Sequence, residues 1–124
     1  MTDEVNPRDP EVRMKRLIDH ASLELITPRD NSGMLAGLGT IDHNQVVMFA
    51  SDATIQSGAL GPEGADVIVA AYRRAMELQV PVIGIWHSGG ARLRDGVLSL
   101  NAFGEVFQSM IRASGRIPQL SLVL

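Results

Sequence analysis

The chain has 124 residues, 45% of them apolar and 20% charged, with a formal net charge of -3, the make-up of one small globular domain. Its Lys and Arg are scattered, without a basic run, so neither nucleic acid nor an anionic membrane surface is an expected partner. Cysteine is absent, which removes a disulfide framework, a thiolate zinc site and a cysteine nucleophile.

The opening stretch, MTDEVNPRDPEVRMKR, is polar and mixed in charge, without the basic head and apolar core of a secretory signal. The apolar runs around Val80 to Trp86 and Leu120 to Leu124 are far shorter than the ~20 residues that span a bilayer. A cytoplasmic protein is expected. Asp9 before Pro10 reads as a helix N-cap with proline at the first helical position. Val12, Leu17 and Ile18 then give a short amphipathic helix ending near Asp19. Leu23 to Ile26 suits a short extended segment, and Thr27 to Gly33 has the composition of a loop.

Met34 to Ile41 and Val46 to Ala50 are β-compatible runs, expected to form an antiparallel hairpin around the polar turn Asp42-His43-Asn44-Gln45. Gly37 and Gly39 thin out the first of these strands. Pro62 marks the start of a helix reaching about Gln79, with Ile68, Ala71, Tyr72, Ala75 and Leu78 on one face and Arg73, Arg74 and Glu77 elsewhere. Val80 to Trp86 is a continuous apolar run, as in a strand buried on both faces between parallel neighbours. A further helix from Val97 to Ala113 carries Val97, Leu100, Phe103, Gly104, Phe107, Met110 and Ile111 along a stripe expected to be core, and Gly115 is placed to end it. Pro118 opens a last apolar strand, Leu120 to Leu124, also expected to be buried. This order of strands and helices implies right-handed β-α-β crossovers and an α/β layer arrangement. A chain that stops inside an apolar strand is expected to be truncated.

The chemistry-bearing segment is VPVIGIWHSGGARLRDGVLSL, in which Ser88, Gly89, Gly90, Ala91 and Arg92 occupy the turn between a buried strand and the next helix. Ligands of open α/β sheets gather at that end of the strands. Adjacent glycines let main-chain N–H groups approach a carbonyl oxygen, as an oxyanion hole requires. The plainer reading is a tight β-to-α turn. The loop is not G-x-G-x-x-G and lacks the lysine of a P-loop, and Trp86 stands where a G-x-S-x-G elbow has its first glycine. His87 reads as structural or loop-orienting, because neighbours in an extended segment point apart. His20 and His43 fall in surface turns at no metal-binding spacing. Glu63, Asp66 and Asp95 read as first-turn helix charges.

Taken whole, PVIGIWHSGGARLRDGVLSLNAFGEVFQSMIRASGRIPQLSLVL closely resembles the acetyl-/propionyl-CoA carboxylase β subunits, with their S-G-G-A-R, G-V-x-S-L and A-S-G-x-I-P-Q motifs. Upstream, Gly37, Gly39, Asp52, Thr54, Gly58 and Gly61 resemble the family's hairpin and Asp-x-Thr segment, and Arg13, Leu17, Asp19, Ser22 and Glu24 its opening helix. The resemblance implies a crotonase-like β-β-α spiral, of which residues 34–124 form an incomplete N-terminal half of one domain and residues 1–33 the helix and loop leading into it. It also implies transfer of a carboxyl group from carboxybiotin, held by a biotin carboxylase/carrier α subunit, to the α-carbon of a short acyl-CoA. Gly90 and Ala91 would supply backbone donors to the thioester enolate, and Ser88, Gly89, Gly90, Ala91 and Arg92 would shape the acyl-CoA pocket. No metal is implied, biotin is not bound covalently to this chain, and the complete β subunit is expected to be a homohexamer.

Two departures qualify this. His87 stands where many members have aspartate, a form that resembles an actinobacterial branch serving fatty-acid synthesis. The second glycine-rich turn and the biotin-facing domain are missing, so the piece alone is expected to be inactive. An acyl-CoA or malonate decarboxylase subunit, and a non-catalytic paralogue that only binds a partner, are the alternatives the residues leave open.

Overall fold

In the computed structural model the chain is described over residues 6–55, 60–87 and 97–124, with the side chains of residues 97–99 outside that description. The elements in order are α1 (Pro10–Leu17), β1 (Glu24–Leu25), β2 (Met34–Ile41), β3 (Asn44–Ser51), α2 (Pro62–Leu78), β4 (Val82–Trp86), α3 (Val97–Ala113) and β5 (Gln119–Val123). The strands form a five-stranded sheet in the order β1-β2-β3-β4-β5. β1, β2 and β3 are antiparallel, and β3, β4 and β5 are parallel.

Period-2 alternation decides which side chains go to which face. Met34, Ala36 and Leu38 of β2, Val47 and Phe49 of β3 and Val82 of β4 pack with Ile68, Ala71, Tyr72 and Ala75 of α2 and with Ala102, Val106 and Ala113 of α3. Leu35, Val46, Met48, Ala50, Ile83 and Ile85 point the other way, onto Met14 of α1. The glycines of β2 have a definite task here. A Cβ at Gly37 would lie 2.8 Å from Leu23 Cδ1, and one at Gly39 would lie 2.6 Å from Ile18 Cδ1. Their bare backbone therefore receives the side chains that anchor the α1-to-β1 segment.

α1 begins as expected, with the Asp9 side chain accepting from Glu11 N at 2.8 Å and Pro10 at its start. It ends at Leu17 rather than near Asp19, because Asp19 is drawn into the hairpin. The hairpin turn is Asp42-His43 alone, not four residues, with φ of 50° and 68°. This double left-handed turn matches the twist of the flanking strands. It is fixed from outside: the Asp19 carboxylate accepts from Asp42 N at 3.1 Å, His43 N at 2.9 Å and Thr40 Oγ1 at 2.7 Å. Asn44 and Gln45 are thereby freed to pair with Ile41 and Thr40.

α2 starts at Pro62 as expected and ends on Gln79, which adopts the left-handed conformation with φ 55°. β4 begins at Val82, two residues later than the apolar run, since Val80 N is taken by Ala75 O and Pro81 has no N–H to give. Its residues Val82–Ile85 are buried between parallel neighbours, as expected.

The C-terminal elements depart further from expectation. The α3 stripe expected as core is misplaced: the buried residues are Ala102, Val106 and Ala113, none of them in it, whereas its Leu100, Phe107 and Ile111 are 70%, 57% and 73% exposed. Among the described residues, only its Phe103 and Met110 pack, half-buried, against the core. The helix face that meets the core lies beside the apolar stripe and overlaps it at these two residues, while Phe107 stacks on Phe103 with ring centroids 6.3 Å apart. β5 runs from Gln119 rather than Leu120, and all its residues are exposed. Among the described residues it is an edge strand, paired with β4 only, so its apolar composition does not translate into burial.

Candidate active site

The three parallel strands end on the same edge of the sheet, with Ala50 opposite Ile85 and Trp86 opposite Val123. This is the edge at which α/β sheets bind ligands. Chain continuity makes residues 88–96 the connection from the end of β4 to the start of α3. Ser88, Gly89, Gly90, Ala91, Arg92 and Asp95 lie outside the described residues, as does Gly58. What the structure does describe is the platform from which that connection departs.

On the helix-covered face the platform is aromatic. A Cβ at Gly84 would sit 2.5 Å from Phe49 Cζ and 2.9 Å from Trp86 Nε1, so glycine is what lets Phe49 lie across β4. The Trp86 ring meets Phe49 edge-on, with centroids 5.1 Å apart and planes at 81°, and Tyr72 packs against Phe49 from α2 at 6.0 Å. Both polar aromatic tips are committed. Trp86 Nε1 donates to Ser121 Oγ at 3.3 Å, and Tyr72 OH donates to Gln119 Oε1 at 2.8 Å. Burial pushes the Tyr72 phenol up from its usual range, so it stays a donor. Gln119 Nε2 in turn donates to Met110 O at 3.1 Å, tying α2, β5 and α3 together at the start of β5, beside Val82 and at the other end of β4 from Trp86.

At the end of β3 the Asp-x-Thr segment forms a local turn. The buried Asp52 accepts from Thr54 N at 2.9 Å and from Thr54 Oγ1 at 2.5 Å through one carboxylate oxygen, while its own N–H donates to Gly33 O at 2.9 Å. Ser51 beside it is fully buried, and its Oγ has no hydrogen-bond partner among the described residues. The preceding loop is held by Arg29, whose guanidinium grips Asp9 with two bonds of 2.9 and 3.0 Å. That contact holds the Asp9 carboxyl below its usual range. In the same loop, bonds from Ser32 do the same for Asp30.

His87, directly after β4, is half-buried, and its Nδ1 is sealed from solvent with no partner among the described residues. His20 and His43 are exposed in turns, as expected from the sequence. Glu63 is in the first turn of α2, whereas Asp66 falls beyond it. The Arg29–Asp9 clamp and the orphan Ser51 hydroxyl went unnoticed in the sequence. The first had no signal, since the partners are twenty positions apart. The second was readable, because Ser51 continues the inward parity of Val47 and Phe49.

A model of the carboxyl transferase domain matches residues 11–124. The chain is 50% identical over 122 residues to the biotin-dependent acetyl-/propionyl-coenzyme A carboxylase beta6 subunit of Mycobacterium tuberculosis, covering 98% of this chain and 26% of that one. It is 47% identical over 119 residues to the propionyl-CoA carboxylase beta chain of Rhodococcus erythropolis, covering 96% and 25%. The chain thus spans about a quarter of the length of these relatives. Among solved structures, transcarboxylase 12S superposes with a TM-score of 0.87 at 24% identity, over 93% of this chain and 25% of that one. The expected partial crotonase-like α/β domain is therefore the observed fold. With the family model matching all but the opening residues, the chain belongs to the carboxyl transferase domain family.

Proposed function

We propose that the protein is the carboxyltransferase component of a biotin-dependent acyl-CoA carboxylase. It moves a carboxyl group from carboxybiotin to the α-carbon of acetyl-CoA or propionyl-CoA, giving malonyl-CoA or methylmalonyl-CoA for fatty-acid synthesis. What supports this reading is the match of the carboxyl transferase domain over residues 11–124, together with the sequence order that puts Ser88-Gly89-Gly90-Ala91-Arg92 after the central parallel strand β4. Removing a proton from the α-carbon puts negative charge on the thioester oxygen. Main-chain N–H groups of Gly90 and Ala91 aimed at that oxygen stabilise it without reorganisation, an effect of about 3–4 kcal/mol per donor in comparable sites. Ser88, Gly89 and Arg92 line the same acyl-CoA pocket, and the pair of glycines keeps Cβ atoms out of the approach path.

Biotin supplies the carboxyl group when bound. The residues here fit a group brought by a partner subunit. Biotin is carried in amide linkage on a lysine, and Lys15, the single lysine of the sequence, sits on α1 paired with Glu11 at 3.4 Å. The partner is a biotin carboxylase/carrier α subunit, and the complete β subunit assembles as a homohexamer in the cytoplasm. Among the described residues no helix is long and apolar enough to cross a membrane. Residues 1–33 lead into the domain formed by residues 34–124.

The test is transfer of labelled carboxyl from carboxybiotin to acetyl-CoA or propionyl-CoA by a full-length subunit carrying these residues. In it, Gly90→Val abolishes turnover while leaving the folded protein intact. Transfer to neither acyl-CoA overturns the reading, and decarboxylation without carboxylation reassigns the protein to the decarboxylase branch.

A further inference from the structure

We infer that His87 is a substrate-contacting hydrogen-bond donor, presenting Nε2–H to the thioester oxygen of the acyl-CoA. The inference rests on the reading of this sheet edge as the acyl-CoA pocket.

The ring nitrogens of His87 are in unlike settings. The residue is half-buried, yet Nδ1 is fully sealed and has no hydrogen-bond partner among the described residues. A neutral imidazole carries one N–H and one bare nitrogen. Sealing an N–H with nothing to accept it is costly, and orphaned buried N–H groups are rarer than under-used acceptors. The favoured tautomer therefore keeps the lone pair on Nδ1 and the proton on Nε2, which is not among the sealed, unpartnered atoms of the described residues. His87 thus offers a donor at the carboxyl end of β4.

Its position is well defined. It follows Trp86, whose ring is held by Phe49 at 5.1 Å and by Ser121 at 3.3 Å, so the strand end that carries His87 does not drift. At the neighbouring end of β3, Asp52 spends one carboxylate oxygen on Thr54. A donor in this place matches an acceptor oxygen that gains charge during reaction. A thioester carbonyl becoming an enolate is such an acceptor, and a hydrogen bond to a charged group is stronger than one to a neutral group.

Substitution separates the two nitrogens. Glutamine carries an amide N–H near the Nε2 position, and asparagine one near Nδ1. In the full-length subunit, His87→Ala and His87→Asn are expected to lower kcat/KM for propionyl-CoA by about ten-fold or more. His87→Gln should stay within about three-fold of the parent, with the KM for carboxybiotin unchanged in all three. His87→Phe keeps the ring bulk and serves if the alanine variant does not fold; it should match the asparagine variant. Equal activities for His87→Gln and His87→Asn, or an effect confined to the carboxybiotin KM, overturn the assignment. A parent subunit that transfers to no acyl-CoA overturns the proposed function instead, so the two failures are told apart.

Discussion

The two ends of the sheet are stabilised by different means. The antiparallel end, with β1, β2, β3 and α1, is closed by directed polar contacts: Asp19 on the hairpin turn, Arg29 on Asp9, and side chains seated over Gly37 and Gly39. The parallel end, with β4, β5 and α3, has the Trp86–Ser121 and Tyr72–Gln119 bonds but otherwise relies on apolar contact, centred on Phe49 of β3, and leaves Leu100, Phe107, Ile111, Leu120 and Leu122 exposed. Polar locks specify geometry at modest energetic gain, whereas apolar burial supplies the larger stabilisation without direction. The candidate site lies where the second mode prevails, at the open edge of the parallel strands. Its chemistry depends on how firmly the aromatic platform fixes the end of β4.

The largest effect expected from this contrast is at Phe49, 1% exposed and in ring contact with both Tyr72 and Trp86. Phe49→Ala should lower the unfolding free energy by about 3–5 kcal/mol, read from urea denaturation midpoints. A loss below about 1 kcal/mol would mean that the parallel end is held by something other than this cluster. At the antiparallel end the expected effect is smaller and depends on pH. The His43 amide first, and then the Thr40 hydroxyl, hold the Asp19 carboxyl below its usual 3.8. A depressed carboxyl contributes stability in full above its unfolded value and loses it as pH falls through the folded value. Asp19→Asn should therefore flatten the acid limb of the stability curve below about pH 4, with little change of slope near neutrality. An unchanged acid limb would place the hairpin lock elsewhere.

Most elements were legible because their signals are local. Asp9-Pro10 announced α1, Pro62 announced α2, and the apolar run before His87 announced a central parallel strand. What failed were judgements that need a partner in space. The hairpin turn shrank to Asp42-His43 because a carboxylate from another element caps it, which no window around residue 42 displays. β5 looked buried because composition reports that a strand is apolar, and not whether another strand lies beside it. In the candidate site, Gly89 and Gly90 were singled out by chemistry, beside the plainer reading of a tight β-to-α turn, and both lie outside the described residues. The support beneath them was not picked out. Gly84 was passed over within an apolar run, and its role shows only once Phe49 and Trp86 are placed on its face.

The smallest expected effect sharpens the contrast most. On composition alone, Ile111 belongs to the same stripe as Met110 and equals Val106 as a core residue. Yet Ile111 is 73% exposed and Val106 is 1% exposed. The hydrophobic contribution of a side chain follows the area removed from water, so most of that of Ile111 is not realised in the folded chain. Ile111→Lys should change the unfolding free energy by no more than about 0.5 kcal/mol, and Val106→Ala by about 2 kcal/mol. The lysine variant should also be the more soluble of the two, because it interrupts a patch formed with Leu100 and Phe107. If instead Ile111→Lys destabilised as strongly as Val106→Ala, the stripe would be core on both sides. The apolar end of the molecule would then be closed in solution in the way the antiparallel end is.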